Sequence, residues 1–168
     1  MPLARLPDAE AQCAELAELI RPHLKPNTVL VGIHSGGAWI ARRLNELLGL
    51  PNEIGLIDVS FYRDDFGEKG LHPQVKPTSI PFDVEDRALI LVDDVLYTGR
   101  TTRAAINELF DYGRPASIKL AVLADRGGRE LPICAEFCTW RVELGGNEEL
   151  VLEPDETGRL QWRREHHA

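Results

Sequence analysis

Apolar and polar positions alternate along this chain with two different periods. Apolar residues recur at helical spacing from Asp8 to Leu24, and Asp8 stands where a helix N-cap belongs. The same spacing predicts a helix from residue 38 that stops at Gly49, and another from residue 101 that closes at Gly113. Short runs of apolar and β-branched residues predict buried strands at 28–33, 53–62, 88–92 and 117–125.

The order of these elements predicts the architecture. Strands that alternate with helices favour an α/β fold with a doubly wound, mainly parallel sheet flanked by helices. Shorter alternating runs at 135–144 and 150–154 indicate a small antiparallel addition, and we expect one domain over residues 1–168. Ligands of such sheets bind beyond the carboxyl ends of the strands. Three turns with candidate chemistry follow strands, at 34–37, 93–101 and 124–130.

The turn after the third predicted strand is typical of an anion site. Its residues 97–101 lead straight into a helix, whose first amides and positive dipole end attract a phosphate. Gly99 lets the backbone approach the anion closely. The hydroxyls of Thr98, Thr101 and Thr102 are added donors.

Two carboxylates stand just before this turn. Asp93 and Asp94 would repel a phosphate, but they suit sugar hydroxyls or a hydrated Mg²⁺ held through water. A phosphate beside a vicinal diol describes a ribose 5-phosphate. A plainer interpretation is that the two acids only end a strand and cap a turn. Neither the G-x-G-x-x-G dinucleotide string nor a P-loop string is present in the sequence.

Composition narrows the class of protein. The 168 residues are 43% hydrophobic and 27% charged, as in globular domains, and no apolar run approaches the ~20 residues that span a bilayer. The N-terminal segment lacks the apolar core of a secretory signal, and three cysteines leave one unpaired, which favours a cytoplasmic protein. Cys134 and Cys138 lack partners at zinc-ligand spacing and are expected to be packed thiols. His166 and His167 are expected to form a frayed tail.

The net charge of −8 argues against a nonspecific nucleic-acid binder, which usually carries a positive field. Any RNA contact would need a local basic patch. Arg42 and Arg43 are ordinarily a solvated helix face, although they could belong to a subunit or RNA contact. Trp39 is expected in the core rather than against a base, and Trp140 and Trp162 in packing or at an interface.

The segment ALILVDDVLYTGRT, residues 88–101, resembles the phosphoribosyl pyrophosphate (PRPP) signature of type I phosphoribosyltransferases. Segments 31–37, 58–66, 71–75 and 108–133 extend the similarity to the pyrimidine operon attenuator and uracil phosphoribosyltransferase family, PyrR. The similarity runs from Val29 to Ile133, with a weaker match to Leu152. It implies the type I phosphoribosyltransferase fold with a small hood at about residues 125–160.

The resemblance also implies a reaction, in which PRPP and uracil give UMP and diphosphate with Mg²⁺ carried by PRPP. Asp93 and Asp94 would hold the ribose hydroxyls and favour the cation that develops at the anomeric carbon. No direct metal ligand is implied, and the Mg²⁺ would lie near these two acids. The implied PRPP and UMP contacts are Ser35, Gly36, Gly37, Tyr97, Thr98, Gly99, Arg100 and Thr101. The implied base hood, acting partly through backbone groups, is Ala124, Asp125, Arg126 and Arg129.

Residues Tyr62 to Gly70 resemble the mobile loop that closes over PRPP and excludes water. The resemblance makes Arg63 a catalytic residue that contacts diphosphate. Mobility is expected from Tyr62 as far as about Thr78. Asp64 and Asp65 could instead serve only to keep a loop solvated.

Two positions depart from the family pattern. Many relatives carry Lys-Thr-Arg-Gly where this chain has His34-Ser35-Gly36-Gly37, so two cations are missing. PRPP binding would then be weaker, or helped by protonated His34 at low pH; alternatively His34 is a strand-end histidine bonded to backbone. Tyr97 stands where purine transferases place an aspartate, which disfavours a purine substrate and leaves no obvious general base.

Three functions compete at this point. The leading expectation is a uracil phosphoribosyltransferase of the attenuator family that also regulates pyrimidine genes in response to UMP. The alternative is a UMP-sensing, mRNA-binding attenuation regulator with vestigial transferase activity, and the third is a nucleotide-binding relative without either activity. The expected small-molecule partners are PRPP, uracil and UMP. The chain is expected to form a homodimer or a larger homo-oligomer, and no membrane is expected as a partner. Pyrimidine-operon mRNA is a doubtful partner because the chain is acidic.

Overall fold

A computed structural model describes residues 5–59 and 78–167 of the chain. Its helices are α1 (Ala9–Ile20), α2 (Gly36–Leu48) and α3 (Arg100–Phe110), with a 3₁₀ turn at Arg21–His23. Its strands are β1 (Val29–Ile33), β2 (Gly55–Ile57), β3 (Ala88–Leu96), β4 (Ser117–Asp125), β5 (Phe137–Arg141), β6 (Glu148–Pro154) and β7 (Leu160–His166). Every predicted element is therefore present, and β2 is shorter than its predicted range.

The main sheet has five parallel strands in the order β2-β1-β3-β4-β5. Successive residues of a strand pack on opposite faces of the sheet. Leu30 and Ile90 pack in the hydrophobic cluster that contains residues of α1 and α2, whereas Val31 and Leu91 pack in the cluster that contains residues of α3. A parallel sheet covered on both faces needs such continuous apolar strands. The doubly wound α/β prediction is confirmed.

Local chemistry explains where the helices begin and end. Asp8 caps α1, because its carboxylate accepts hydrogen bonds from the amides of Glu10 and Ala11. Gly49 ends α2 in the left-handed conformation at φ 64°. Helix α3 ends earlier than predicted, at Phe110 rather than beside Gly113, and Asp111 is its C-cap.

The C-terminal third corrects two predictions. Residues 135–144 were expected in the antiparallel addition, but β5 pairs parallel with β4 and forms the edge of the main sheet. The antiparallel addition consists of β6 and a strand that the sequence pattern did not reveal, β7. The frayed-tail prediction is also wrong. His166 of β7 pairs with Glu148 of β6, and the His167 amide donates to the carbonyl of Asn147.

The antiparallel pair β6–β7, here called the ribbon, packs against helix α1. The indole Nε1 of Trp162 donates to Oε1 of Gln12 at 2.6 Å, and both residues are buried. The amide of Leu160 donates to Glu10 at 2.6 Å. Trp140 meets Trp162 edge-on at 5.8 Å, and Trp39 packs against the same core, as expected for packing residues. Helix α1 and strands β5 and β7 therefore pack together.

The cysteines are unpaired thiols, and their exposure differs. Burial raises the pKa of Cys13 to about 12 and also raises the pKa of half-buried Cys138. Cys134 is exposed, so the packed-thiol prediction is wrong for this residue. Among the described residues, no helix combines the length and the apolar character needed to cross a membrane.

Removing the amide of Gln12 should destabilise the protein measurably. In Gln12→Ala the buried indole N–H of Trp162 loses its acceptor, at a cost of about 1 to 3 kcal/mol in the free energy of unfolding. Urea denaturation measures this change. In the double variant Gln12→Leu/Trp162→Phe both polar partners are gone, and most of the stability should return; a double variant less stable than Gln12→Ala would contradict the prediction.

Candidate active site

Asp93 and Asp94 lie at the carboxyl end of β3, and each is held by the backbone that follows it. The amide of Asp94 donates to Oδ1 of Asp93 at 2.9 Å, and the amide of Val95 donates to Oδ1 of Asp94 at 2.8 Å. Asp93 is 6% exposed, whereas Asp94 is half-buried. Both acids therefore have a defined orientation, and these local bonds fit the end of a strand as well as a binding role.

The turn at residues 34–37 packs directly against these acids. A Cβ atom on Gly36 would lie 2.3 Å from Oδ2 of Asp94, and one on Gly37 would lie 2.2 Å from the carbonyl oxygen of Val92. The peptide bond between His34 and Ser35 is cis. The His34 amide donates to the carbonyl of Ile57, which joins the turn to β2. The glycines thus allow the start of α2 to approach β3, and the role of the His34 side chain stays a prediction.

The predicted phosphate turn joins β3 to α3. Gly99 is the N-cap of α3 and has a φ of 96°, a conformation that side chains rarely adopt. Oγ1 of Thr98 accepts a hydrogen bond from the amide of Arg100 at 3.2 Å. Thr98 and Thr101 are partly exposed, whereas Thr102 is 3% exposed. Two of the three expected hydroxyls are therefore accessible at the start of the helix.

The hood begins where β4 ends at Ala124 and Asp125, and the loop that follows lies against the phosphate turn. We use "hood loop" for residues 126–133. The amide of Arg126 donates to the carbonyl of Leu96 at 3.1 Å. The carbonyl of Thr98 accepts from the amides of Glu130 and Leu131 at 2.9 and 3.1 Å. The structure therefore brings together the two turns that the sequence placed at the ends of neighbouring strands.

Arg129 connects the hood loop to both neighbouring strand ends. Its guanidinium donates to the carbonyl of Tyr97 at 2.7 Å, to the carbonyl of Ile133 at 2.8 Å and to Oδ2 of Asp125 at 2.6 Å. Burial of Asp125 acts to raise its pKa, but the hydrogen bonds from Arg129 and from the Gly127 amide outweigh that effect. The pKa of Asp125 therefore lies below its ordinary value.

Asp125→Asn should lower stability at neutral pH by about 1.5 to 3 kcal/mol, since it removes the charged acceptor of a hydrogen bond from Arg129. The folded-state pKa of Asp125 is depressed, so its contribution is complete above the unfolded pKa of about 4 and is lost as pH falls through the lower folded value. Urea unfolding should give a constant difference between wild type and variant from about pH 7 to 5, and a smaller one below about pH 4. A difference that grows on acidification would contradict this assignment.

The side chain of Tyr97 lies between two parts of the hood loop. The guanidinium carbon of Arg126 lies 3.9 Å from the centre of the Tyr97 ring, and a Cβ on Gly128 would come within 2.5 Å of that ring. The Nε of Arg126 is buried, and no hydrogen-bond partner for it exists in the part of the chain that the structure describes. Tyr97 itself is 45% exposed. An aromatic ring and a cation thus line the hood side of the site.

The sequence analysis named Arg100 but did not predict its ion pair with Glu130. Nε of Arg100 donates to Oε1 of Glu130 at 2.8 Å, and both side chains are about half exposed. The only sequence signal was opposite charge in two turns expected at the same sheet edge. Arg63 and the predicted loop at 62–78 lie outside the described residues, apart from Thr78, so their roles stay predictions.

The donor set at the end of β3 suits a hydrated Mg²⁺. Carboxylate oxygens are the ligands that this cation prefers, and it usually retains several waters. Oδ2 of Asp94 faces the turn at residues 34–37, where a diphosphate is expected from the family resemblance. Asp93 and Asp94 would lie near an ion carried by PRPP and would hold it through its bound water.

Comparison with protein families and solved structures identifies the class. The family model for the phosphoribosyl transferase domain matches residues 3–147. A purine phosphoribosyltransferase from Pyrococcus horikoshii has a TM-score of 0.62 at 30% identity, covering 80% of this chain and 82% of that one. A hypoxanthine-guanine phosphoribosyltransferase from Bacillus anthracis shares the fold, with a TM-score of 0.65 at 20% identity over 84% of this chain and 86% of that one. The fold and the site therefore define a type I phosphoribosyltransferase.

Curated relatives narrow the class further. The "Bifunctional protein PyrR" of Ralstonia nicotianae is 52% identical over 155 residues, covering 90% of this chain and 88% of that protein. The protein of the same name from Pseudomonas paraeruginosa is 48% identical over 151 residues, covering 88% and 89%. The chain belongs to the PyrR family of bifunctional proteins. The resemblance carried by residues 88–101 is confirmed.

Proposed function

We propose that this chain is a uracil phosphoribosyltransferase, which converts PRPP and uracil to UMP and diphosphate. The observation that carries the proposal is the placement of Asp93 and Asp94 between two turns, one glycine-rich at the start of α2 and one at the start of α3. Membership of the PyrR family supports the choice of a pyrimidine base. Three free cysteines suit a protein of the reducing cytoplasm.

The turn around Gly99 and the two aspartates each have a separate role in the reaction. The turn around Gly99 holds the 5-phosphate at the start of α3, and the two aspartates accept hydrogen bonds from the ribose hydroxyls. The bond from the anomeric carbon to diphosphate breaks, N1 of uracil bonds to that carbon, and the N1 proton goes to solvent. The negative charges of Asp93 and Asp94 stabilise the cation that develops at the sugar. Mg²⁺, when bound, offsets the charge of the departing diphosphate beside the turn at 34–37.

The residues at the base end of the site argue against a purine substrate. Tyr97 replaces the aspartate of purine transferases, and Arg126 covers its ring at 3.9 Å. The known structures reported above are purine enzymes, so base choice must be measured directly. The test is PRPP-dependent conversion of uracil, orotate, hypoxanthine and guanine by the purified protein. Conversion of uracil alone or foremost is expected, and preferential conversion of a purine would refute the proposal.

Binding of pyrimidine-gene mRNA is the second candidate function, because the relatives are named bifunctional. Of the two arginines that the sequence offered for such a surface, Arg42 is exposed and Arg43 is paired, and three arginines near the C-terminus are also paired. Arg43 pairs with Glu10 and Arg159 with Asp8. The two others form ion pairs within the ribbon, Arg163 with Glu153 and Glu165, and Arg164 with Glu148. Each of these carboxylates reduces the positive potential that the paired arginine would offer to an RNA phosphate.

RNA binding is therefore expected to be weak or absent near physiological salt, whereas UMP binding and uracil transfer should be readily measured. Each phosphate neutralised by a free Lys or Arg adds affinity through counterion release, and paired arginines add less. Titration of a pyrimidine-gene leader RNA at several salt concentrations measures this, with and without UMP. Tight binding that UMP enhances would overturn the prediction. Arg42 is exposed, and a homodimer, still a prediction, could gather Arg42 from two subunits, so the mass of the assembly should be measured alongside.

A further inference from the structure

Three consecutive carbonyls of the phosphate turn are bonded to the hood loop. The carbonyl of Leu96 accepts from the Arg126 amide, and that of Thr98 accepts from two amides of the hood loop. The carbonyl between them, that of Tyr97, accepts from the side chain of Arg129 at 2.7 Å. Of these four hydrogen bonds, the one to the Tyr97 carbonyl comes from a side chain, so a side-chain substitution can remove it.

The direction of these carbonyls fixes the direction of the amides. In a planar trans peptide the C=O and the following N–H point to opposite sides. With the carbonyls of Leu96, Tyr97 and Thr98 turned to the hood loop, the amides of Tyr97, Thr98 and Gly99 point to the other side. A phosphate at the start of α3 is bound by oriented amides of this kind.

The geometry around Arg129 suits a guanidinium and no other side chain. Its planar fork contacts three acceptors at 2.6 to 2.8 Å, and the side chain is 25% exposed. Lysine keeps the charge but carries its donors on one nitrogen, so it cannot reproduce three divergent bonds. The sequence analysis assigned Arg129 to reading the base, but these three bonds engage its guanidinium with the protein itself.

We infer that Arg129 is a positioning residue for the 5-phosphate: it fixes the Tyr97 peptide and so orients the amides of the phosphate turn, and it does not read the base. This inference rests on the proposed function. The side chain of Arg129 adds to the backbone bonds that join the hood loop to the phosphate turn, and Asp125 holds the guanidinium in place.

Binding by ligands that carry one half of UMP separates the two roles. Calorimetry with ribose 5-phosphate probes the phosphate end alone, uridine probes the base end alone, and UMP probes both. In Arg129→Lys and Arg129→Ala, affinities for UMP and ribose 5-phosphate should fall together by about 10- to 100-fold, the range expected for one charge-assisted hydrogen bond. Uridine affinity should change by less than about threefold, a margin below that of one lost hydrogen bond. Added guanidinium ion should restore part of the UMP affinity in Arg129→Ala.

Arg141→Gln is the matched control. Arg141 also faces Asp125, at 3.7 Å, but its side chain is 78% exposed, and within the described ranges it has no close bond to the turn. The control should bind all three ligands as wild type does. Equal losses of uridine and UMP affinity in Arg129→Lys, or unchanged ribose 5-phosphate affinity, would overturn the inference. Failure of the wild-type protein to bind UMP would instead refute the proposed function, and circular dichroism shows whether each variant is folded.

Discussion

The double variant Asp93→Asn/Asp94→Asn is expected to keep its fold and lose at least ~10²-fold in turnover, the scale of losing one preorganised transition-state contact. Asparagine retains the Oδ1 oxygen that accepts the backbone amide at 2.9 Å in Asp93 and at 2.8 Å in Asp94. The local backbone should therefore be preserved while both negative charges disappear. The charge is what stabilises the developing sugar cation, so kcat should fall further than PRPP binding.

Asp111→Asn is the control for the change of charge. Asp111 is exposed at the end of α3 and caps that helix through its backbone amide. Its turnover should equal that of wild type. Steady-state kinetics with PRPP and uracil, together with thermal unfolding of all three proteins, completes the experiment. Unchanged turnover in a folded double variant would remove Asp93 and Asp94 from the catalytic assignment.

Most of the sheet could be predicted because a parallel sheet imposes a strong pattern. The segments 29–33, 88–92 and 120–124 of these strands are apolar and buried at every position, since both faces of the sheet are covered. Strand β5 was assigned to the wrong sheet because it lies at an edge, where alternating polar residues are tolerated. Strand β7 is rich in charge, and its backbone pairing with β6 is not signalled by a clear local pattern.

The site was predicted in its parts, but its connections were not. Motif and spacing placed the two aspartates and the Gly99 turn at the end of one strand. The bonds from Arg129 to Tyr97 and from Arg100 to Glu130 join residues about 30 positions apart, and their geometry depends on how two neighbouring strands end. Sequence named Gly36 as an implied PRPP contact, and the structure adds that the absence of a side chain at Gly36 makes room for Asp94.

Gly99 is the position where a single methyl group should matter most for phosphate binding. Its φ of 96° is strained for any side chain. An added Cβ would lie 3.0 and 3.1 Å from Cγ1 and Cβ of Ile133 in the hood loop, closer than ordinary packing allows. Valine adds two further methyl groups to that contact and is stiff at χ1. The strain at this φ together with the contact to Ile133 favours a shift of the turn, which changes the direction of its amides.

Gly99→Val is accordingly expected to weaken UMP and PRPP binding by about 100-fold or more, the loss of more than one charge-assisted hydrogen bond to the phosphate. Gly99→Ala should show a smaller loss in the same direction, because it adds the strained Cβ alone. Gly146→Val is the control, since Gly146 has no positive φ and no described atom within 4 Å of an added Cβ. Calorimetry with UMP measures the affinities, and thermal unfolding confirms that each variant is folded. Wild-type UMP affinity in folded Gly99→Val would show that the phosphate is bound elsewhere, because a valine at this φ strains the turn even where Ile133 shifts.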